Sequence, residues 1–396
     1  MLIALLGAVL LSQLPAPDSL TLAQAMTHAR AHRAQLHAAR AVIAEARAGI
    51  GAASAIPNPT LGYSYTQDTP RQHLVVQQTL DWLLTRGAER RAAFRSLDRA
   101  AADSALTEAA LALEVRSTFY GAIAGREARR LAEQQATAAD SAATLATRRF
   151  QQGEIPQVES LRLALEASRV QQDLSRAREG EQRGISALAR AIGWGSAAPP
   201  SAAGRLDSDL DASDSLVSTV PASSPAIRRA EADSAAAAAQ ARSATRARVP
   251  LPSIELGADW SDPAQPGQTL WLFGVSVPLP VWHRGGPLAA GAAARAEQSS
   301  ARLSETRMEV MAQVEVARVR LVETAVRARR ARDTLLPAVA LLRAKALTAY
   351  ELGETGVLPV LDALRTERET ATAALDDLLA FQEALASWHA LTGTSE

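Results

Sequence analysis

The sequence predicts a mainly α-helical protein with a small β part, built as two copies of one unit. Each copy contains a helix, a pair of short strands, a very long helix and a final helix. Three observations predict this architecture. Alanine-rich segments carry apolar residues three and four positions apart, four short segments alternate in polarity at every second residue, and similar segments recur at an offset of about 200 residues.

Composition excludes several classes of protein. The chain has 396 residues, with 42 basic and 42 acidic side chains, no cysteine, 47% hydrophobic residues and 4% aromatic residues. Balanced charge provides no basic surface for nucleic acid, so we expect no nucleic-acid partner. The lack of cysteine excludes disulfides, thiolate metal sites and cysteine nucleophiles. Because alanine supplies much of the apolar content, thin and closely packed helices are favoured over a thick core.

Residues 1–16 are interpreted as an export signal. Leu2–Leu11 is an apolar run of signal-peptide length, and Leu14-Pro15-Ala16 is an acceptable cleavage site. The mature chain is therefore expected to begin near Pro17; the alternatives are an N-terminal anchor or an incorrectly assigned start codon. No later segment approaches the ~18 consecutive apolar residues of a spanning helix. If the protein lies in a membrane, strands must cross it.

The repeat defines the domain organisation. Phe150–Glu154 corresponds to Tyr350–Glu354, 200 residues later in the chain. We expect a first repeat at residues 17–195 and a second at 225–396. The segment 196–224 is rich in Ser, Pro and Asp and has no sustained apolar period, so it is predicted to be a linker.

Each repeat contains five expected elements. The first repeat is expected to contain a helix, two strands and two helices at Asp18–Ala55, Thr60–Gln67, His73–Leu80, Ala88–Phe150 and Pro156–Ile192. The second is expected to contain the same series at Pro225–Arg248, Ser253–Trp260, Thr269–Val277, Pro287–Glu351 and Pro359–Leu391. The long helix of the first repeat has 63 residues. At the usual helical rise it extends roughly 95 Å, beyond an ordinary globular diameter.

Apolar spacing predicts how these elements pack. Steps of four and three predict a coiled-coil seam along Val310, Val314, Ala317, Leu321, Thr324 and Ala328. This seam alone fits an ordinary coiled-coil rod equally well. The strands alternate, as in Trp271, Phe273 and Val275, so that one face suits lipid and the other water. Soluble hairpins also alternate in this way. Four strands cannot close a barrel, and open edges are not tolerated in lipid, so a membrane location requires oligomerisation.

Two helix–helix turns carry a resemblance to a known family. Tyr350–Ala363 resembles the turn between two long helices in TolC-type outer membrane efflux proteins, and Phe150–Glu159 is similar to the equivalent turn in their first repeat. Val275–Gly286 resembles the strand-to-helix junction of the heavy-metal-cation branch. The resemblance covers nearly the whole mature chain. It implies a homotrimer with four strands per chain, a twelve-stranded barrel in the outer membrane and an α-helical tunnel through the periplasm.

The resemblance also implies a function and partners. It implies a passive outer membrane conduit of a tripartite efflux or type I secretion system, in contact with outer membrane lipid. It implies docking to a periplasmic adaptor and an inner-membrane transporter of the resistance-nodulation-division type. The alternative is a periplasmic coiled-coil adaptor or scaffold without a pore. No phosphate loop, dinucleotide fingerprint or hydrolase motif occurs in the sequence, so neither enzymatic activity nor a cofactor is expected.

Acidic residues near the second-repeat turn are candidates for a periplasmic aperture. The resemblance places one aperture carboxylate at Asp362, whereas Pro359 occupies the position of the other. Glu159 holds the comparable place in the first repeat. Simpler explanations are that Asp362 solvates a helix start and that the helix dipole favours Glu159. The resemblance further assigns adaptor docking to the tip turns, which contain Gly153, Glu154, Gly353 and Glu354.

Two further groups of residues, one aromatic and one of histidines, have a spacing that bears on function. Tryptophans near strand ends are expected to lie at the membrane interface: Trp260, Trp271 and Trp282. His28 and His32 are four residues apart on a predicted helix, and no third ligand of matching period accompanies them. We therefore expect no metal site.

Overall fold

The computed structural model describes residues 19–196, 199–211, 224–264, 266–281 and 285–394. The strands within these ranges are Ser19–Leu20 (β1), Thr60–Tyr65 (β2), Gln72–Thr79 (β3), Ser201–Ala202 (β4), Ser253–Trp260 (β5) and Leu270–Ser276 (β6). The α-helices are Leu22–His32 (α1), Ala34–Ser54 (α2), Trp82–Gln151 (α3), Gln157–Ile192 (α4), Pro225–Arg246 (α5), Gly286–Arg330 (α6), Leu336–Glu351 (α7) and Val357–Thr392 (α8). A π-helical turn, Ala331–Leu335, connects α6 to α7.

The chain folds into two compact units. The unit that we call the helical unit contains residues 1–34, 108–222 and 312–396, and the sheet unit contains residues 35–107 and 223–311. Both sequence repeats contribute to each unit. The division into repeats at 17–195 and 225–396 therefore describes the order of elements along the chain, and it does not coincide with the spatial units.

The sheet unit contains a four-stranded antiparallel sheet with the order β2-β3-β5-β6. β2 and β3 come from the first repeat, and β5 and β6 come from the second. The pairing of β3 with β5 joins the two repeats in one sheet, with Val75 opposite Gly257 at its centre. β2 and β6 are the edge strands. The expected strand pairs are confirmed, and β5 has the expected bounds.

The helical unit is held together by seams of small and apolar side chains. Along the part of α6 in this unit, Ala317, Leu321, Thr324 and Ala328 are all buried, as the alternating spacing predicts. α3 and α4 approach closely because glycine lies at their contact: a Cβ atom added to Gly125 would lie 3.1 Å from the Glu181 Cα atom on α4. Small residues thus bring helix backbones together, consistent with the alanine-rich composition.

The helices depart from the expected pattern at two places. The first expected helix is interrupted at Arg33, whose backbone is extended and whose guanidinium bonds to Glu114 at 2.9 Å. The expected continuous helix Pro287–Glu351 contains the π-helical turn just before Pro337. Proline has no N–H group, and its ring clashes with the carbonyl four residues earlier, so a wider turn accommodates it. Both departures correct the expectation of unbroken helices.

Part of the predicted linker is packed against the helical unit. Leu206 and Leu210 are buried, and the Gln382 amide nitrogen donates to the carbonyls of Leu206 and Ser208, both at 2.8 Å. β4 lies in the same segment and pairs with β1 in parallel. These two-residue strands were not predicted, because so few residues show no period. Among the described helices, none has a stretch long and apolar enough to cross a bilayer.

Candidate functional site

The first tip turn, between α3 and α4, is a Schellman motif. The Glu154 N–H donates to the Arg149 carbonyl and the Gly153 N–H donates to the Phe150 carbonyl, both at 2.9 Å. Gly153 has a φ of 76°, in the left-handed region that favours glycine. This geometry closes the end of α3 and turns the chain towards α4.

The second tip turn, between α7 and α8, repeats this geometry 200 residues later. The Glu354 N–H donates to the Ala349 carbonyl at 2.9 Å, and the Gly353 N–H donates to the Tyr350 carbonyl at 3.1 Å. Gly353 also has a φ of 76°. The correspondence read from the sequence at these turns is therefore also a correspondence of backbone conformation.

Arg149 connects the two tip turns, a role that sequence reasoning missed. Its Nε atom lies 3.3 Å from a Glu154 carboxylate oxygen, and its guanidinium carbon lies 5.0 Å from the ring centroid of Tyr350. Tyr350 is 1% exposed and belongs to a buried apolar cluster with Leu163 and Val360. Burial raises the pKa of the Tyr350 phenol, while the Arg149 charge opposes that rise. The aromatic residue and cation are far apart in sequence, so no local pattern indicates this contact.

The two candidate aperture residues occupy different environments. Asp362 is exposed in the second turn of α8, on the same side as the exposed Leu358 and Pro359. Glu159 is half-buried in the first turn of α4, and its charge contributes to the raised pKa of Tyr350. Asp362 is thus available at the helix surface, whereas Glu159 lies close to the tyrosine. An aperture role for either residue remains a prediction.

Two ion pairs with buried carboxylates lie further along α8. Arg368 lies 2.7 Å from the Glu166 carboxylate of α4, and Arg343 of α7 lies 2.8 Å from Glu367. Neighbouring residues of α8 therefore bind helices from both repeats. Burial raises the pKa of Glu367, and Arg343 opposes that rise. The sequence analysis missed these pairs, because charged residues among seam positions resemble a solvated helix face.

One face of the sheet is apolar. Residues that pair across strands project to the same face of a sheet, so the strand register assigns the side chains. One row across all four strands consists of Leu61, Val76, Leu256 and Phe273, and the adjacent row consists of Tyr63, Leu74, Ala258 and Trp271. Phe273 is 85% exposed, although its row contains only apolar side chains. Such a face is suited to lipid.

The opposite face carries polar and charged side chains together with Val75, Leu270 and Leu272. His73 and Asp259 are paired across β3 and β5, and their Nδ1 and Oδ1 atoms are 2.9 Å apart. Nearer the helix-connected end of β5, the Gln77 amide donates to the Ser253 hydroxyl at 2.9 Å. Glu255 lies on this face as well, opposite Gln77. This face is suited to water, as the alternation predicts.

The tryptophan positions agree with an interfacial location. Trp260 ends β5 and Trp271 is the second residue of β6, so both lie beside the loop 261–269. The register places both on the apolar face, and the rings of Trp260 and Tyr63 are 6.5 Å apart. Aromatic side chains at strand ends are typical of membrane–water interfaces. Trp282 lies outside the described residues, and the interfacial assignment remains a prediction.

The histidine pair on α1 has backbone partners. The Nδ1 atom of His28 lies 3.0 Å from the Ile192 carbonyl oxygen at the end of α4, and that of His32 lies 3.0 Å from the His28 carbonyl oxygen. The two rings stack at 4.0 Å. Within the described residues, no group of three or more His, Cys, Asp or Glu side chains is arranged to hold a metal ion. His28 is thus the side-chain partner of the Ile192 carbonyl group at the C-terminal end of α4.

Long paired helices with closed tips and a two-faced sheet are the features expected of an outer membrane channel with a periplasmic helical part. The sequence model of the outer membrane efflux protein family matches residues 25–194. The chain is 24% identical over 364 residues to the cobalt-zinc-cadmium resistance protein CzcC of Cupriavidus metallidurans, covering 89% of this chain and 84% of that protein. Both matches show that the chain is similar to outer membrane efflux proteins, and the family model matches the first repeat.

Solved structures share the fold over almost the whole chain. The match to CusC has a TM-score of 0.77 at 18% identity and covers 94% of this chain and 92% of that chain. The match to the outer membrane protein VceC of Vibrio cholerae has a TM-score of 0.73 at 17% identity and covers 95% and 97%. The predicted fold class is therefore confirmed.

Proposed function

We propose that the protein is the outer membrane conduit of a tripartite efflux system, and that it works as a homotrimer. The sheet is the observation that carries this proposal. One face presents rows of apolar side chains and the other presents charged and amide groups, as required of a wall between lipid and an aqueous lumen. A periplasmic adaptor without a pore does not cross a membrane, so it requires no sheet with one lipid-facing side.

The edge strands support assembly with copies of the same chain. β2 and β6 each pair on one side only among the described strands, so the other side of each carries unpaired backbone groups. Unpaired N–H and C=O groups are too costly in lipid, and a sheet of four strands is too narrow to close. Pairing β2 of one copy with β6 of the next removes both edges. Three copies then close a twelve-stranded barrel.

The helical unit supports the same assembly. On α6, Val316, Val319, Val322 and Val326 form a second apolar stripe and are 40% to 68% exposed. They lie outside the buried seam of Ala317 and Leu321. An exposed apolar stripe at helical spacing marks a surface that another helix covers. We assign it to contact with a neighbouring copy in the trimer.

The tip turns are proposed to dock the periplasmic adaptor. Gly153, Glu154, Gly353 and Glu354 are all exposed at the ends of the helix pairs. Leu352, beside the second turn, is 68% exposed. Apolar and acidic groups together suit a protein partner. The adaptor then connects the channel to an inner-membrane pump, which we assign to the resistance-nodulation-division type.

The relative CzcC indicates the cargo. Its name describes resistance to cobalt, zinc and cadmium. We propose that this chain exports divalent metal cations of the same kind. Deleting the gene should lower the tolerance of cells to these three metals, with little change for hydrophobic drugs. Equal loss of tolerance to both classes would contradict the metal assignment and leave the channel assignment intact.

Assembly and topology provide the direct test. The detergent-extracted protein should have the mass of a trimer and conduct ions across planar bilayers. Because the chain lacks cysteine, Asp68→Cys in the β2–β3 loop should react with an impermeant maleimide on intact cells. The matched control Gln152→Cys, at a tip turn, should react only after the outer membrane is permeabilised. A water-soluble monomer without conductance would favour the adaptor alternative.

A further inference from the structure

We propose that Glu255 is a charge-selectivity residue of the channel wall, which makes the barrel part of the conduit favour cations over anions. This inference rests on the proposed trimeric channel. It concerns the sheet unit alone and is independent of the acidic residue at the tip.

The strand register places Glu255 on the polar face. Its neighbours in the same cross-strand row are Thr60, Gln77 and Gly274. The residues before and after it on β5, Ile254 and Leu256, project to the apolar face. In a closed barrel with lipid on the apolar side, the Glu255 carboxylate therefore faces the lumen.

The Glu255 carboxylate differs from the other acidic group on this face. The Asp259 carboxylate has a side-chain partner, because it lies 2.9 Å from a ring nitrogen of His73. Within the part of the chain that the structure describes, no basic side chain lies within 4.0 Å of the Glu255 carboxylate. Glu255 is partly exposed and so remains in contact with water. It therefore contributes a carboxylate without an ion-pair partner among the described residues.

Gly274 allows the Glu255 side chain to lie flat against β6. A Cβ atom added to Gly274 would lie 3.1 Å from a Glu255 carboxylate oxygen and 3.2 Å from its Cβ atom. The carboxylate thus extends over the strand that forms the sheet edge. In a closed trimer this edge is the junction with the next copy, so the charge is held close to the neighbouring subunit's wall.

Three such carboxylates at one level form a ring of negative charge. Rings of acidic side chains favour cations in channels, since a low-dielectric wall concentrates their field in the lumen. The effect of one ring in a wide, water-filled barrel is modest, because salt screens charges beyond about 8–10 Å. The ring of carboxylates therefore favours the passage of cations in general and does not bind a particular cation.

Ion selectivity in bilayers tests the proposal. Under a KCl gradient, Glu255→Gln should lower the potassium-to-chloride permeability ratio by about twofold at low salt, where screening is weak, with single-channel conductance still present. Glu255→Asp should retain the wild-type ratio, and Glu255→Lys should reverse the preference. Asp362→Asn, measured in parallel, separates any contribution of the tip. An unchanged ratio in Glu255→Gln would overturn the proposal, whereas absence of any conductance in the wild type would overturn the channel itself.

Cysteine accessibility tests the orientation independently. Glu255→Cys should react with a charged methanethiosulfonate reagent added to the open channel, and a cationic reagent should shift selectivity towards anions. Ile254→Cys, one residue earlier and on the apolar face, should not react. Reaction at position 254 and protection at position 255 would show that the faces are reversed and would refute the assignment.

Discussion

At the scale of single residues, the two tip glycines form a matched pair. Gly153 and Gly353 both have a φ of 76°, but their surroundings differ. A Cβ atom at Gly153 would meet nothing within 4 Å, whereas one at Gly353 would lie 3.0 Å from an Arg149 guanidinium nitrogen. The backbone strain of an alanine is therefore common to both sites, and the side-chain conflict is confined to the second.

We predict that Gly153→Ala and Gly353→Ala each lower the free energy of unfolding, with the larger effect at Gly353. Left-handed backbone costs a non-glycine residue about 1–2 kcal/mol. At Gly353 the substitution also displaces Arg149 from its position beside Tyr350. Thermal unfolding of the purified protein measures both effects. Equal losses in the two variants would show that Arg149 moves aside without cost.

The sequence predicted the tip residues only in part. Both glycines were found because each ends a long periodic segment and the two are 200 residues apart. Arg149 was not found, because its partner Tyr350 lies in the other repeat and nothing in the local sequence indicates that contact. The ion pair between Glu166 and Arg368 was missed for the same reason. Contacts distant in sequence follow from the packed structure alone.

At the scale of elements, the sequence predicted most of the fold. β5 has the expected bounds, and the other long strands differ from expectation by a few residues at their ends. The strands could be located because the alternation of polarity stops where a strand ends. The break at Arg33 was missed, because neither the local sequence nor the apolar spacing indicates the extended backbone there or the bond from Arg33 to Glu114 on another helix. The π-helical turn before Pro337 could have been predicted, because a proline inside a long helix disturbs the helical hydrogen bonds. Leu206 and Leu210 are too few to reveal the packed part of the linker.

The contact between α3 and α4 depends on glycine. Gly125 and Gly184 each have a backbone atom of the partner helix 3.1 Å from an added Cβ, whereas Gly180 has nothing within 4 Å. We predict that Gly125→Ala destabilises the protein by about 1–3 kcal/mol, because the backbones must separate. Gly180→Ala is the matched control and should stabilise by roughly 0.5–1 kcal/mol through helix propensity. Chemical or thermal unfolding of both variants tests this, and stabilisation by Gly125→Ala would contradict the close contact.

The packing of α7 against α8 is expected to depend on pH through Glu367. Burial raises its pKa above the ordinary value of 4.5. The folded state then binds a proton more readily than the unfolded chain, so this group's contribution to stability is present at low pH and is lost as pH rises. Glu367→Gln removes the titration and keeps an oxygen for Arg343. Its melting temperature relative to wild type should therefore increase as pH rises from 4.5 towards 7.

Parallel melting curves for Glu367→Gln and wild type over this pH range would contradict the assignment. Arg343→Gln provides a further comparison, because it removes the charge that opposes the rise in the Glu367 pKa. It should enlarge the pH dependence rather than abolish it. The three proteins differ only at positions 343 and 367, so differences between their melting curves report on this site.

At the scale of the whole molecule, the two faces of the sheet predict opposite responses to charge. Val76 and Gln77 are consecutive in β3, and the register places Val76 on the apolar face and Gln77 on the polar face. Val76→Lys should destabilise the membrane-inserted protein by about 2–4 kcal/mol, as a lysine facing lipid near mid-bilayer does. Gln77→Lys should be tolerated. The yield of folded protein in outer membranes measures both, and equal yields would contradict a lipid-facing sheet.

The two open edges of the sheet have a consequence for biogenesis. In the proposed trimer, the unpaired backbone groups along β2 and β6 are paired only when other copies are present, so we expect strand insertion and assembly to be coupled. The yield of mature channel should then rise more steeply than linearly with synthesis rate. In cells that make little of the protein, we expect unassembled chains to accumulate and to be bound by periplasmic chaperones or degraded by proteases.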